Sequence, residues 1–167
     1  MILNAQLKIH LQSQIPTMRA VIQRVSRASL TIDDRLYSSI DRGLVVLLGI
    51  HEDDATEDVS WLVSKIAQMR IFSDSEGKMN LSAQDINGSI MVVSQFTLHA
   101  STKKGNRPSF IEAARPEVAI PLYESFVKEI SDLFPNKTAT GSFGADMKID
   151  LTNDGPVTII IDSKQKV

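Results

Sequence analysis

Residues 44–50, LVVLLGI, carry no polar side chain. A strand with one face in water alternates apolar and polar residues. A continuously apolar run has to be covered on both faces. The segment therefore reads as a fully buried central strand, and the rest of the chain has to supply its two covers. With 43% hydrophobic residues in 167, there is enough apolar surface for one domain with a proper core.

The flanking segments supply strands and helices. Residues 20–25 (AVIQRV), 28–32 (ASLTI) and 36–40 read as strands, with Asp33-Asp34-Arg35 and Asp41-Arg42-Gly43 as turns. Asp53 and Asp54 precede Thr56, and acidic residues favour a helix N-terminus. Val59, Leu62, Val63, Ile66 and Met69 then follow at helical spacing, a stripe suited to core packing. Residues 71–73 are short and extended, and 74–77 turn. Asn87-Gly88 is a strong turn signal before a second buried strand over 89–97, SIMVVSQFT. Residues 98–108 read as a polar loop. Pro116 opens a second helix with Leu122, Phe126, Ile130 and Leu133 on one face, which starts near Pro121 or kinks there. In 145–151, Ala145, Met147, Ile149 and Leu151 share one strand face. Asn153-Asp154-Gly155 turns, and 156–162 forms the last strand. The expected fold is mixed α/β (α+β). It is a single β-rich domain over 18–164, with mixed and antiparallel sheets in a partly closed, barrel-like core and two packed helices. Residues 1–17 lack this patterning and read as a poorly ordered extension, with Met18 as the functional start.

Several chemistries are excluded or disfavoured. There is no cysteine, hence no disulfide, thiolate nucleophile or Cys-based metal site. That absence fits a reducing cytosol. His10, His51 and His99 are far apart in sequence, with no metal-binding spacing, so no metal or other cofactor is expected. No apolar run is long enough for a membrane span. The net charge of −2 gives no global attraction to nucleic acid, so any RNA contact has to be local. GxSxG, P-loop, GxGxxG and HExxH motifs are missing. Taken singly, Ser94 and Thr97 are ordinary strand residues. Gly155-Pro156 stands at a strand mouth, where proline is tolerated because no donor is needed.

Two segments, Ser94-Gln95-Phe96-Thr97-Leu98 and Asn153-Asp154-Gly155-Pro156-Val157-Thr158, together resemble the paired motifs of the D-aminoacyl-tRNA deacylase family. The stretch from Met18 to Val25 resembles that family's start. Arg70-Ile71-Phe72-Ser73-Asp74, Gly77-Lys78-Met79-Asn80 and Arg107-Pro108-Ser109-Phe110 also match, in order. The resemblance implies hydrolysis of the ester bond of D-aminoacyl-tRNA by a cytoplasmic homodimer with active sites at the interface. It implies that Ser94, Gln95, Phe96 and Thr97 line the catalytic pocket for the 3′-terminal adenosine and its amino acid. It implies a cis Gly155-Pro156 bond whose carbonyls enter the partner's pocket and exclude L side chains. Arg24 then orients this turn, and Phe110 and Met147 complete the substrate-binding set. A filter of this kind tolerates varied D side chains and also admits glycine.

Other points stay open on the residues. Lys103, Lys104 and Arg107 form a basic run suited to tRNA phosphates or to a solvated loop. His99 reads as a loop residue and not as a base. The sequence offers no acid–base pair, which favours positioning, backbone donors near Gln95 and Phe96, and a water activated with help from the RNA 2′-hydroxyl. A Thr97 nucleophile is the rival, and it lacks a nearby base. Two other functions compete: a small-molecule esterase using Thr97, and a nucleic-acid-binding module without activity.

Overall fold

The computed structural model describes Ile15 and residues 17–165. The strands are β1 (Arg19–Ile32), β2 (Arg35–Ile40), β3 (Gly43–Gly49), β4 (Phe72–Ser73), β5 (Met79–Leu81), β6 (Ser89–Ser94), β7 (Thr138–Thr140) and β8 (Met147–Asp162). Helix α1 (Thr56–Gln68) joins β3 to the β4–β5 ribbon, and α2 (Pro116–Leu133) precedes β7. The main sheet runs β2-β1-β3-β6-β7, with β8 along the other edge of β1. β1 is antiparallel to β2, β3 and β8, whereas β3–β6 and β6–β7 are parallel. The sheet curls until its ends meet: Ser38 Oγ on β2 donates to Thr140 O on β7 at 2.7 Å. The result is a nearly closed barrel with two helices on its outside.

The apolar run of β3 does what its composition requires. Leu44, Val46 and Leu48 pack outward with Val59, Leu62 and Ile66 of α1 and Phe126 and Ile130 of α2. Val45 points inward with Val25, Leu30, Met91 and Val93. Alternation along one strand thus fills both cores. Gly43 permits the approach of β6 at the start of this strand. A Cβ there would stand 1.8 Å from the carbonyl oxygen of Ser89.

Four expectations change in detail. Residues 20–25 and 28–32 are one strand, irregular in its pairing with β8 on either side of Val25. Residues 147–162 are also one strand, because pairing to β1 resumes after the Gly-Pro segment. β6 ends at Ser94, and residues Phe96–His99 turn into a 3-10 helix instead of continuing the strand. α2 runs through Pro121 from Pro116, and its buried face is Ala119, Leu122, Tyr123, Phe126 and Ile130, with Leu133 exposed.

Residues 1–14 and 16, where most of the expected extension falls, lie outside the described residues. Thr17 is buried. Its hydroxyl sits 3.2 Å from Ser163 Oγ and accepts the Lys164 N–H at 3.0 Å. Ser163 Oγ donates in turn to Asp58 at 2.6 Å. Lys164 Nζ lies 3.1 Å from Asp54 and 3.6 Å from Asp58. Thr17 is therefore part of a polar clasp that fastens it, Ser163 and Lys164 to the start of α1.

Candidate active site

The end of β6 opens into a pocket of about 290 Å3, at the small end of ligand cavities. Ser94, Gln95 and Phe96 form one wall, and Met147, Ile149 and Ala145 form another. Ala114, Ala119 and Phe143 close it. The last rung of the β3–β6 ladder is here, where Gln95 N–H donates to Leu48 O at 2.7 Å. The chain then tightens, with Leu98 N–H on Gln95 O and Ala100 N–H on Thr97 O. The first N–H groups of such a turn have no partner inside it. This leaves Phe96 and Thr97 at the turn's donor end, beside the pocket. Phe143 is backed by the Tyr123 ring, 6.0 Å away. The Tyr123 hydroxyl donates to Val92 O at 3.0 Å. Burial pushes that phenol up to about 12, so it remains a donor throughout the working pH range.

The expected residues divide into three places. Ser94, Gln95, Phe96 and Met147 share the pocket. Phe110 stands edge-on to Phe96, with ring centroids 5.1 Å apart, and extends the aromatic surface outward. Thr97 is exposed and does not line the cavity. Its hydroxyl accepts a hydrogen bond from the Gln95 amide. Lys103, Lys104 and Arg107 lie exposed on the turn that follows.

Gly155 and Pro156 are also exposed, and they are not part of the pocket. Gln23 pairs with Thr158 and Val25 with Asn153, so four residues of β8 bulge opposite Arg24. The Gly155-Pro156 bond is cis, and Gly155 has φ +143. At Gly155 a Cβ would meet Val157 Cγ2 at 2.7 Å and Arg24 Nη2 at 3.1 Å, so the position requires glycine. The bulge is clamped twice. Asn153 spans its neck, accepting the Val157 N–H at 2.7 Å and donating to Thr158 Oγ1 at 3.1 Å. Arg24 lies beneath it, donating from Nε to Asp154 O at 2.8 Å and from Nη1 to Ile71 O at 2.7 Å.

Register separates bulge and pocket. Arg24, Leu44 and Ile90 form one row across the sheet, and Ala20, Leu48 and Ser94 another. The rows are four residues apart, about 13 Å along the strands. Gly155 and Pro156 do not line the pocket of their own chain.

His99 was expected in a loop. It is instead buried at the end of the 3-10 turn, edge-on to His51 with centroids 5.7 Å apart. Polarity of the surrounding sequence gave no sign of this. The pocket walls Ala114, Ala119 and Phe143 were also missed, since small and aromatic residues in a loop or on a helix carry no local signal of a cavity.

Comparison with known proteins gives the family and the fold. The profile of the D-Tyr-tRNA(Tyr) deacylase family matches residues 21–162, nearly the whole described chain. This chain belongs to the D-Tyr-tRNA(Tyr) deacylase family. Among its relatives, the D-aminoacyl-tRNA deacylase of Flavobacterium psychrophilum is 60% identical over 149 residues, covering 89% of this chain and 99% of the relative. That of Cytophaga hutchinsonii is 62% identical over the same share of each chain. Among solved structures, the c-Myc DNA Unwinding Element Binding Protein superposes with a TM-score of 0.81 at 41% identity. It covers 86% of this chain and 97% of that one. A probable eukaryotic D-amino acid tRNA deacylase has the same fold, with a TM-score of 0.77 at 18% identity over 87% of this chain and 99% of its own. The deacylase fold thus extends over both the pocket and the clamped Gly-Pro turn.

Proposed function

We propose that this chain hydrolyses the ester bond of D-aminoacyl-tRNA, releasing the D-amino acid and free tRNA in the cytoplasm. The observation that carries the reading is its 60% identity to a D-aminoacyl-tRNA deacylase over 89% of the chain. The pocket at Ser94–Phe96 is assigned to the aminoacyl end of the RNA. Phe96 and Phe110 present an aromatic surface at its mouth, of the kind on which a nucleobase stacks. Backbone N–H groups at the start of the 3-10 turn are placed to stabilise the tetrahedral oxyanion. The attacking species is water, oriented in the pocket with help from the ribose 2′-hydroxyl.

The chiral filter is assigned to Gly155-Pro156 of a second copy of this chain. What supports this is separation along the strands: the turn is exposed and clamped, lies four rows from the pocket, and does not line it. Two copies related by a two-fold axis exchange turns and complete both sites. Carbonyl groups held where an L side chain would stand reject it by overlap and repulsion. A thousandfold preference needs only about 4 kcal/mol at the transition state. Glycine has no side chain to exclude, so glycyl-tRNA is a substrate as well. Lys103, Lys104 and Arg107 are assigned to tRNA phosphates, as a local basic run on a chain of net charge −2.

The test is one assay with four substrates: D-aminoacyl-tRNA, L-aminoacyl-tRNA, glycyl-tRNA and a simple ester. The expected result is release from the first and third only, by a species of twice the 18.4 kDa chain mass in light scattering. Turnover of the simple ester alone would restore the small-molecule esterase. Binding without release from any substrate would leave a nucleic-acid-binding module.

The same assay decides the role of Thr97. Its hydroxyl is engaged by Gln95 and has no base beside it. Thr97→Val should therefore retain activity, with a loss of tenfold to a hundredfold, about 1.4–2.7 kcal/mol. A folded but inactive Thr97→Val, together with an acyl-enzyme trapped on the wild type, would establish a covalent threonine mechanism instead.

A further inference from the structure

The 3-10 turn that carries Phe96 and Thr97 ends at His99, and this histidine is only 7% exposed. Its Nε2 is fully buried and has no hydrogen-bond partner among the described residues. The ring packs beneath the turn, against Gly49 at the end of β3. A Cβ at Gly49 would meet Leu98 Cβ at 2.9 Å, Gln95 O at 3.1 Å and His99 Nε2 at 3.2 Å. One small backbone surface thus receives the start of the turn, its third residue and the imidazole together. Arg19 on β1 holds the segment from the side, donating to Leu98 O at 3.3 Å.

We propose that His99 is a positioning residue: its neutral imidazole seats the Gln95–Leu98 segment on Gly49, and its protonation unseats that segment and lowers turnover. This rests on the assignment of that segment to the deacylase pocket. The neutral ring carries a donor at only one nitrogen, so Nε2 can be the bare one. The protonated ring is a donor at both, and Nε2–H becomes a buried donor whose only neighbouring acceptor, the Gly49 carbonyl, is not in hydrogen-bonding geometry with it.

The charged groups around the ring do not compensate. His51 faces it edge-on from just beyond β3, and Arg19 approaches from β1; both oppose charge on the ring. Arg19 is already held by Asp162 at 2.7 Å. Asp54, before α1, is the nearby carboxylate, and it is engaged by His51 N–H at 2.7 Å and Lys164 at 3.1 Å. Lys103 and Glu112 line the cavity on the outer side of the ring and are opposite in sign. Burial, then His51 and Arg19, hold the imidazole below its ordinary value, against a contribution from the Gly49 carbonyl. The folded state therefore favours neutral His99. This stabilisation is present above the ordinary histidine range and is lost as pH falls through the lower folded value. Lifting the segment is the nearest route by which Nε2–H reaches water.

The experiment has a structural arm and a kinetic arm. In the structural arm, NMR follows the His99 ring and the amides of Gln95, Phe96 and Thr97 from pH 8 to pH 5. The expected result is one shared midpoint, below about 6.5, moving to higher pH in His51→Gln, where a neighbour that opposes charge on the ring is removed. Amides that stay fixed while the ring titrates would overturn the proposal, and so would a ring midpoint unchanged by His51→Gln.

The kinetic arm compares D-aminoacyl-tRNA turnover by wild type and His99→Gln across the same range. Ester and tRNA titrate identically for both proteins, so the ratio of their kcat values isolates His99. The ratio should be flat above pH 7 and fall severalfold by pH 5, with the loss in kcat rather than KM. A ratio independent of pH would reject the proposal. Wild type inactive at neutral pH would reject the deacylase reading, while the NMR titration would still decide whether the imidazole controls the segment.

Discussion

Arg24→Met should abolish most discrimination between D- and L-aminoacyl-tRNA. The side chain keeps its length and apolar stem and loses both donors. Asp154 O and Ile71 O, each within 2.8 Å of the guanidinium, are left without them. Hydrogen bonds to a charged donor contribute about 1.5–3 kcal/mol each, so roughly 3 kcal/mol or more of local support disappears. The clamp across Asn153 remains, so the bulge survives but is no longer held from beneath. If its carbonyls form the filter, a displacement of about an ångström removes their overlap with an L side chain. The expected loss of selectivity is about a hundredfold, or 2.7 kcal/mol. Rates on both substrates and a melting curve check this together. Arg24→Lys should be intermediate, since an ammonium is a single point donor without the fork. A folded Arg24→Met that still rejects L-aminoacyl-tRNA as well as wild type does would remove Gly155-Pro156 from the role of filter.

Gly43→Ala should produce the largest loss of stability of any single-methyl addition considered for this chain. The new Cβ would stand 1.8 Å from Ser89 O and 2.7 Å from Ser89 C and N. These are backbone atoms of the paired strand, so no rotamer change relieves the clash. Gly43 and Ser89 open the β3–β6 ladder, and Ser89 N–H also bonds to Arg42 O at 3.0 Å. Separating the strands there opens the interface between the two cores. A cost of about 3 kcal/mol or more is expected, lowering the melting temperature by about 10 °C for a domain of this size. Thermal denaturation of the variant beside wild type measures it. A shift under about 2 °C would mean that β6 can move aside without consequence.

The elements with clear periodicity were legible. The run 44–50 is apolar on both faces because two cores meet across it. The stripe Val59, Leu62, Val63 and Ile66 faces one partner layer. What misled was tertiary context. Phe96 and Thr97 are good strand formers, which extended the second buried strand by three residues. The ladder instead ends with the Gln95 N–H to Leu48 O bond, since β3 stops at Gly49 and the chain tightens into the 3-10 turn. Asn153-Asp154-Gly155 has the chemistry of a turn between two strands. The Asn153 side chain closes that turn on itself, and the ladder resumes in the same direction. Leu133 has the right spacing for the buried face of α2, but the helix ends there and Phe134 takes the buried place. For the site, the pairing of the Ser94 and Gly155 segments came through resemblance. Nothing in composition or spacing connects them. The enclosure of His99 arises from Gly49, Arg19 and His51, three contacts made by distant parts of the chain.

The buried end of Arg24 has a consequence for how this protein fails. Exposed bulges ordinarily open early, in local fluctuations well below the free energy of global unfolding. This one shares its guanidinium with Ile71 O, in the segment joining α1 to β4, and Ile71 itself packs in the outer core. Releasing the bulge therefore means disturbing the same core that holds the helices. Warming the protein should not pass through an intact but indiscriminate form. If the bulge is the filter, fidelity should stay level up to the melting transition and vanish together with the fold, so heat would lower the amount of active protein before its accuracy.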